Sequence, residues 1–290
     1  MNLDKFIETA TPLRALGVIV EENGYITGRH VWEAPCRRNI YSASKSFTST
    51  AVGIAQREGL LSIDEKLTDA FKDDLPENVS PYLEKATVRD LLTMSLGQEK
   101  PFLMGTDRPY YEEKDWVKLT LAQEFGSYPG EKFLYNNAGP YLAGMLVQRR
   151  SGTDLVHYLM PRLFEPMGIT LPTWETDPLG YTFGAGGLFL TLEELHRFTE
   201  LYCNRGMWNG RQLVPAKWIE EATQKQVDNG SLGYGYLFWR GRNNSFRADG
   251  KYGQFGIVYP EKNACVTIVA ESREADKLLK AVDEFIYPQF

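Results

Sequence analysis

Histidine is scarce in this sequence, with three residues among 290. They are His30, His157 and His196, and none belongs to a His-Glu-x-x-His or His-x-His pattern or pairs with a cysteine at ligand spacing. The sequence therefore predicts no metal site, and nothing in it indicates a cofactor. If the protein is a hydrolase, we also expect its general base not to be an imidazole.

Cysteine is equally rare. Cys36, Cys203 and Cys265 lie far apart, and an odd number of thiols argues against a disulfide framework and for a reducing compartment. No stretch approaches the roughly 18 apolar residues of a membrane-spanning helix, and the first residues are too charged for a secretory signal. We therefore expect a cytoplasmic protein with no membrane partner.

A concentrated basic segment is also missing. The 32 basic side chains stand against 38 acidic ones, for a net charge of -6. This balance argues against a nucleic-acid partner, because phosphate binding needs clustered lysine and arginine. A small molecule or short peptide is the expected partner, and the sequence does not indicate an oligomeric state.

The two ends of the chain are predicted to form one antiparallel sheet. The β-rich runs Ala15–Glu21 and Tyr25–Trp32 flank Asn23-Gly24, which is a strong hairpin signal. Toward the other end the predicted elements are strands over Gly235–Arg240, Gly253–Pro260 and Ala264–Ser272 and a helix over Glu274–Ile286.

The middle of the chain reads as mainly helical. The helical patterns are Ser44–Glu58 before Gly59, the segment after Thr87 with Asp90 in capping position, Gly139–Arg150, and Thr191–Cys203 with Glu194 in capping position. We predict one α+β domain over residues 1–290, with an α/β part at about 1–60 and 231–290 and a mainly helical part at about 61–230. A cleft is expected where the two parts meet.

Ser42-x-x-Lys45 opens the first long helix and is the first candidate catalytic motif. Residues three apart on a helix share a face, so the Ser42 hydroxyl and the Lys45 amine can touch. A neutral Lys45 could take the Ser42 proton, while the helix N-terminus stabilises the oxyanion. This chemistry requires the pKa of Lys45 to fall from about 10.4 toward roughly 7–8.

The same segment allows two other interpretations. Tyr41-x-x-x-Lys45 is also the spacing of the tyrosine and lysine of short-chain dehydrogenases, but no glycine-rich dinucleotide turn precedes it. Ser42 and Ser44 could instead simply cap a helix.

Two further segments carry candidate residues. Tyr135 and Asn137 lie two apart, so in an extended chain they point the same way. A Tyr135 phenol near the Lys45 ammonium would have a lowered pKa and could act as base and acid, while Asn137 offers an amide to Lys45 or to a substrate carbonyl. A buried tyrosine with a capping asparagine remains the alternative.

The segment Gly250-Lys251-Tyr252-Gly253-Gln254 comes directly before a predicted strand. Glycines at such a place suit a backbone that approaches a ligand closely. Lys251 could bring positive charge to the site, and the Gln254 N–H could be a second oxyanion donor beside that of Ser42. A tight turn with a solvated lysine explains the segment equally well.

Together the three motifs, in the order Ser-x-x-Lys, Tyr-x-Asn and Lys-x-Gly, resemble the serine β-lactamase and penicillin-binding protein superfamily. The resemblance is strongest to the class C β-lactamase-like branch, with its serine esterases, D-aminopeptidases and 6-aminohexanoate-oligomer hydrolases, and it runs from Ala15 to Phe285. It includes the segments LLSIDEKL (60–67), TVRDLLTMSLG (87–97), LFEPMGI (163–169) and GAGGLFLTLEELHRF (184–198).

The resemblance implies a β-lactamase/transpeptidase-like fold and a serine hydrolase that cleaves an ester or amide through an acyl-enzyme. It names Ser42 as nucleophile with Lys45 and Tyr135 as the proton relay, and Asn137, Lys251, Gly253 and Gln254 as substrate-binding residues. Tyr252 stands where β-lactamases carry a small hydroxyl residue, which argues against efficient β-lactamase activity. A penicillin-binding protein with little turnover and a catalytically silent interaction protein are the alternatives.

Overall fold

The computed structural model describes residues 1–290. Its strands are β1 (Ala15–Glu22), β2 (Tyr25–Val31), β3 (Arg38–Asn39), β4 (Phe189–Leu190), β5 (Met207–Trp208), β6 (Arg211–Gln212), β7 (Trp239–Arg240), β8 (Phe246–Gly250), β9 (Gln254–Tyr259) and β10 (Ala264–Ala270). Its helices are α1 (Asp4–Ala10), α2 (Ser44–Arg57), α3 (Leu67–Ala70), α4 (Val88–Leu92), α5 (Trp116–Leu121), α6 (Ala138–Ser151), α7 (Leu155–Leu159), α8 (Leu192–Cys203), α9 (Ala216–Thr223) and α10 (Ala275–Ala281).

The main sheet has six strands in the order β2-β1-β10-β9-β8-β7, with every neighbouring pair antiparallel. Both chain ends contribute strands, so the predicted α+β architecture is confirmed. The division into an α/β part and a helical part within one domain stays a prediction. None of the helices has the length and apolar character needed to cross a bilayer.

Alternating side chains of the sheet supply two cores. Val18 and Val20 point to one face, where they pack with Phe6 of α1 and Leu278 of α10. Ile19 points to the other face and joins the larger core, to which α2, α6 and α8 contribute. The sheet is therefore covered on both faces, and α2 is held between the sheet and the helical part.

Cap chemistry fixes several predicted helix ends. Capping boxes form at Thr87 with Asp90 and at Thr191 with Glu194, so both predicted starts are confirmed. Gly59 follows α2 with a φ of +74°, a backbone conformation that glycine adopts without the penalty of a Cβ atom.

Among the elements that were not predicted, two belong to the main sheet or pack against it, namely β8 and α1. Strand β8, with the sequence FRADG, alternates buried and half-buried residues, but its Arg247 and Asp249 make it read as a polar turn. Helix α1 has only seven residues, two of them buried, and this is too short for a clear helical period. Packing against the sheet, rather than intrinsic propensity, stabilises both elements.

Gly53 tests how tightly α2 is packed. A Cβ atom at this position would lie 2.4 Å from the Trp218 ring. We expect Gly53→Ala to destabilise the protein by about 1–3 kcal/mol, although alanine is the better helix former. Urea unfolding measures the change. In a Trp218→Leu background the penalty should shrink, and an unchanged penalty would contradict the proposed contact.

Candidate active site

Ser42 lies in a single turn of 3₁₀ helix, Tyr41–Ala43, that leads from β3 into α2. The turn is anchored from two sides, because Ile40 N–H donates to the Leu188 carbonyl at 2.8 Å and Tyr41 N–H donates to the Asn39 Oδ1 at 2.7 Å. Tyr41 has a φ of +48°, which is strained for a bulky residue. Such strain is typical of functional turns that the surrounding structure holds in place.

The two serines of the motif have different surroundings. The Ser44 hydroxyl donates to the Tyr41 carbonyl at 2.6 Å and accepts from the Leu188 N–H at 3.1 Å, so it serves the backbone. The Ser42 hydroxyl instead accepts a hydrogen bond from Lys45 Nζ at 3.1 Å and lines a cleft. Of the two serines, the geometry favours Ser42 as the nucleophile.

Lys45 is buried, with 1% of its surface exposed. Besides Ser42, its Nζ donates to the Asn137 Oδ1 and to the Ala185 carbonyl, both at 2.6 Å. No carboxylate is among these partners. The amine is therefore held by neutral oxygen atoms, which orient it without fixing a positive charge as a salt bridge would.

Burial and, to a smaller extent, the nearby positive charge of Arg108 together lower the pKa of Lys45 to about 7. Arg108 lines the cleft and lies over the Phe183 ring at 4.3 Å, with an ion pair of 3.5 Å to Glu175. The structure thus provides the lowered lysine pKa that the predicted chemistry requires. Its cationic neighbour is Arg108, which no sequence pattern pointed to.

Tyr135 lines the same cleft, with its ring 5.1 Å from Lys45 Nζ. The expectation of a lowered phenol pKa is wrong. Burial raises the pKa of Tyr135 well above its usual value, the charge of Asp249 raises it further, and only the hydrogen bond with Ser42 opposes the change. At neutral pH the phenol keeps its proton and can donate a hydrogen bond.

Asn137 connects the lysine to the wall of the cleft. Its Oδ1 accepts from Lys45, and its Nδ2 donates to the Leu103 carbonyl at 2.9 Å. The amide is therefore used to place Lys45, which was one of its two predicted roles.

The third motif is only partly at the cleft. Lys251 lines it, whereas Gly253 faces Leu278 behind the strand and is buried. Gln254 is buried beside a neighbouring cavity, where its Nε2 donates to the Ala270 carbonyl at 2.5 Å. Gly253 and the Gln254 side chain do not line the cleft that contains Ser42. Their part in substrate binding stays a prediction.

Gly250 explains why this motif needs glycine. A Cβ atom there would lie 2.1 Å from the Ile40 carbonyl oxygen and 3.2 Å from the Ala43 nitrogen. The end of β8 therefore packs directly against the turn that carries Ser42, and only glycine allows this approach.

Three segments thus meet at one cleft of about 510 Å³. Its lining comprises Asn39, Tyr41, Ser42, Met104, Gly105, Thr106, Arg108, Tyr135, Asn137, Glu175, Phe183, Ala185, Gly186, Gly187 and Lys251. Tyr41 packs edge-on against Tyr252 with 5.2 Å between ring centroids, and Lys45 bonds Ser42 instead. The arrangement matches a serine–lysine site and gives no support to the dehydrogenase interpretation.

Comparison with known proteins agrees with this geometry. A family model described as Beta-lactamase matches residues 32–286. The chain belongs to the Beta-lactamase family. Its fold is similar to that of a putative 6-aminohexanoate-dimer hydrolase from Bacillus anthracis, with a TM-score of 0.82 at 19% identity, covering 100% of this chain and 85% of that one.

Two relatives of the chain are named for acyl chemistry. One is a lovastatin esterase from Penicillium rubens, 31% identical over 44% of this chain and 37% of the relative. The other is a monacolin J acid methylbutanoyltransferase from Aspergillus terreus, 31% identical over 49% of this chain and 38% of the relative. The matches thus span less than half the length of either relative. The names of these similar proteins therefore describe an esterase, a hydrolase and an acyltransferase.

Arg108 provides a test of the Lys45 environment. Removing a nearby positive charge makes the protonated amine less unfavourable, so Arg108→Met should raise the pKa of Lys45 above about 7. An NMR titration of lysine labelled with ¹³C at Cε measures this pKa directly. Arg273→Met, which removes an exposed arginine of the neighbouring cavity, is the matched control and should leave the Lys45 midpoint in place. A Lys45 midpoint near 10 in the wild type would refute the assignment.

Proposed function

We propose that the protein is a serine hydrolase that cleaves an ester or amide through an acyl-enzyme on Ser42. The observation that carries the proposal is the buried amine of Lys45, which hydrogen-bonds the Ser42 hydroxyl and has a pKa of about 7. A base whose pKa lies near neutrality combines a large neutral fraction with useful basicity.

The partners of Lys45 suit a general base. A neutral amine has two N–H bonds and one lone pair, and the two acceptors closest to Nζ are the Asn137 Oδ1 and the Ala185 carbonyl. If both N–H bonds go to these carbonyls, the lone pair faces Ser42 Oγ. The Ser42 proton then moves to Nζ as Oγ attacks the substrate carbonyl.

The charge that develops on the attacked oxygen needs donors. The Ser42 N–H lies in the turn that leads into α2, where the helix dipole favours negative charge. We assign it as one oxyanion donor. The Gln254 N–H remains the proposed second donor.

Tyr135 completes the proton path. Because its phenol is protonated at neutral pH, we assign it the transfer of a proton to the leaving oxygen or nitrogen, with the Lys45 ammonium supplying the replacement. Lys45 is then neutral again and can take a proton from the water that hydrolyses the acyl-enzyme. No carboxylate or imidazole is needed for either step.

An ester is the favoured substrate class. Two relatives are named as an esterase and an acyltransferase, and Tyr252 occupies the place of the small hydroxyl residue of β-lactamases.

The acyltransferase relative also supports a second candidate function, in which an alcohol rather than water accepts the acyl group. A penicillin-binding role with slow release would require the same acylation step and would show a burst without turnover.

Ser42 can be tested by turnover. Ser42→Ala should lower the hydrolysis of a p-nitrophenyl ester by roughly 10⁴-fold or more, because the nucleophile is lost. Ser49→Ala is the matched control, since Ser49 is buried in α2, the helix that follows the Ser42 turn, and its hydroxyl has no hydrogen-bond partner. Equal rates in the Ser42→Ala and wild-type proteins would overturn the proposal.

The pH dependence tests the lysine. Because only the neutral amine can accept the Ser42 proton, kcat/KM for the ester should fall about tenfold per pH unit below pH 7. The measurement is a pH profile of kcat/KM, with unfolding monitored by circular dichroism at each pH. A limb with its midpoint near pH 10, or a rate that stays constant down to pH 5, would contradict the role of Lys45.

A further inference from the structure

A second cluster of reactive side chains lies on the sheet face that α8 covers. Glu21 of β1 and Cys265 of β10 are cross-strand partners, and His196 of α8 packs over them. The carboxylate, imidazole and thiol donor atoms all lie within 4.8 Å of one another, and all three residues are buried. The Ser42 mechanism uses none of them.

Helix α8 directs a row of side chains toward this cluster. His196, Glu200 and Cys203 are spaced four and three residues apart, which places them on one helix face. The Cys203 thiol is a neighbour of the Cys265 thiol, and Glu200 is close enough to be influenced by the charge of Glu21. Five side chains that can bind metal therefore converge from three segments.

We propose that Glu21, His196, Cys203 and Cys265 form a binding site for a divalent zinc-like cation. One carboxylate, one imidazole and two thiols are a ligand set typical of tetrahedral zinc. The ion would join β1, β10 and the C-terminal turn of α8.

The distances suit such an ion. Donor atoms around tetrahedral zinc are about 3.3–3.8 Å apart, given metal–ligand distances of about 2.0–2.3 Å. His196 Nε2 and Glu21 Oε2 are 3.1 Å apart, and the Cys265 Sγ lies within 4.8 Å of both. For these three ligands a movement of about one ångström brings the donor atoms to the spacing of a tetrahedral site. The Cys203 thiol lies outside this group of three and has to turn toward it to become the fourth ligand.

Thr267 holds the histidine ring as metal sites require. Its Oγ1 lies 3.0 Å from His196 Nδ1, so an Nδ1–H can donate to it and leave the Nε2 lone pair for the metal. In the metal-free protein the Nε2 position contacts Glu21 instead. Metal binding thus exchanges one hydrogen bond for two coordinate bonds.

Both thiols bind a metal as thiolates, so the four ligands together carry three negative charges. Binding releases the thiol protons to solvent, and a doubly charged cation then meets one carboxylate and two thiolates. Cys203 and Glu200 are partly exposed, which gives an ion a path to the buried ligands from that side.

Cobalt(II) is the probe for this site, used with the reduced, tag-free full chain. We expect one equivalent to bind and to give the near-ultraviolet thiolate-to-cobalt band and the visible bands of tetrahedral cobalt, and zinc to displace it. Thr267→Val should weaken binding by about 10- to 100-fold by removing the orienting hydroxyl. Ester hydrolysis should be unchanged by either metal.

Cys265→Ser should weaken the near-ultraviolet band and the double variant Cys203→Ser/Cys265→Ser should abolish it, whereas Cys36→Ser, which alters an exposed thiol, should retain it. The absence of the band in the reduced wild type, or its persistence in the double variant, would overturn the proposal. So would isolation of the protein with a Cys203–Cys265 disulfide and no cobalt binding after reduction. The wild-type spectrum decides the question even if a variant fails to fold.

Discussion

The burial of one amine, that of Lys45, is the constraint on which the rest of the candidate site depends. Lowering its pKa from 10.5 to about 7 corresponds to about 5 kcal/mol of lost preference for the charged form. The fold maintains this by enclosing α2 between the sheet and the helical part. The same enclosure leaves the amine no carboxylate partner and directs it to Ser42.

Several otherwise unrelated features serve this arrangement. The amide of Asn137 and the carbonyl of Ala185 hold the amine. Ser44 ties the turn to Leu188, and Gly250 lets β8 lie against that turn. Each contact comes from a different part of the chain, which is why the site exists only in the folded protein.

Much of this could be predicted from sequence. The Ser42–Lys45 spacing is local, and helix geometry alone brings the two side chains together. The hairpin of β1 and β2 and the capping boxes are local in the same sense. These predictions needed no knowledge of tertiary packing.

The features that the sequence predicted wrongly or did not predict depend on packing between distant segments. The pKa of Tyr135 rises because the effect of burial outweighs that of the hydrogen bond with Ser42, and a sequence does not reveal the extent of burial. Arg108 lies in a polar segment without a distinctive pattern. The cluster around His196 could not be predicted because Glu21 and His196 are 175 residues apart along the chain. His196 and Cys203 are two helical turns apart, which is not the spacing of a short metal-binding motif.

In the proposed mechanism Ser42 is the nucleophile that forms the covalent intermediate. The most direct test is intact-protein mass spectrometry after exposure to a fluorophosphonate, followed by peptide mapping of the modified serine. We expect a single adduct on Ser42, and its rate of formation should rise with pH as Lys45 loses its proton, with a midpoint near pH 7. An adduct on another serine, or none from a protein that still hydrolyses the ester, would contradict it.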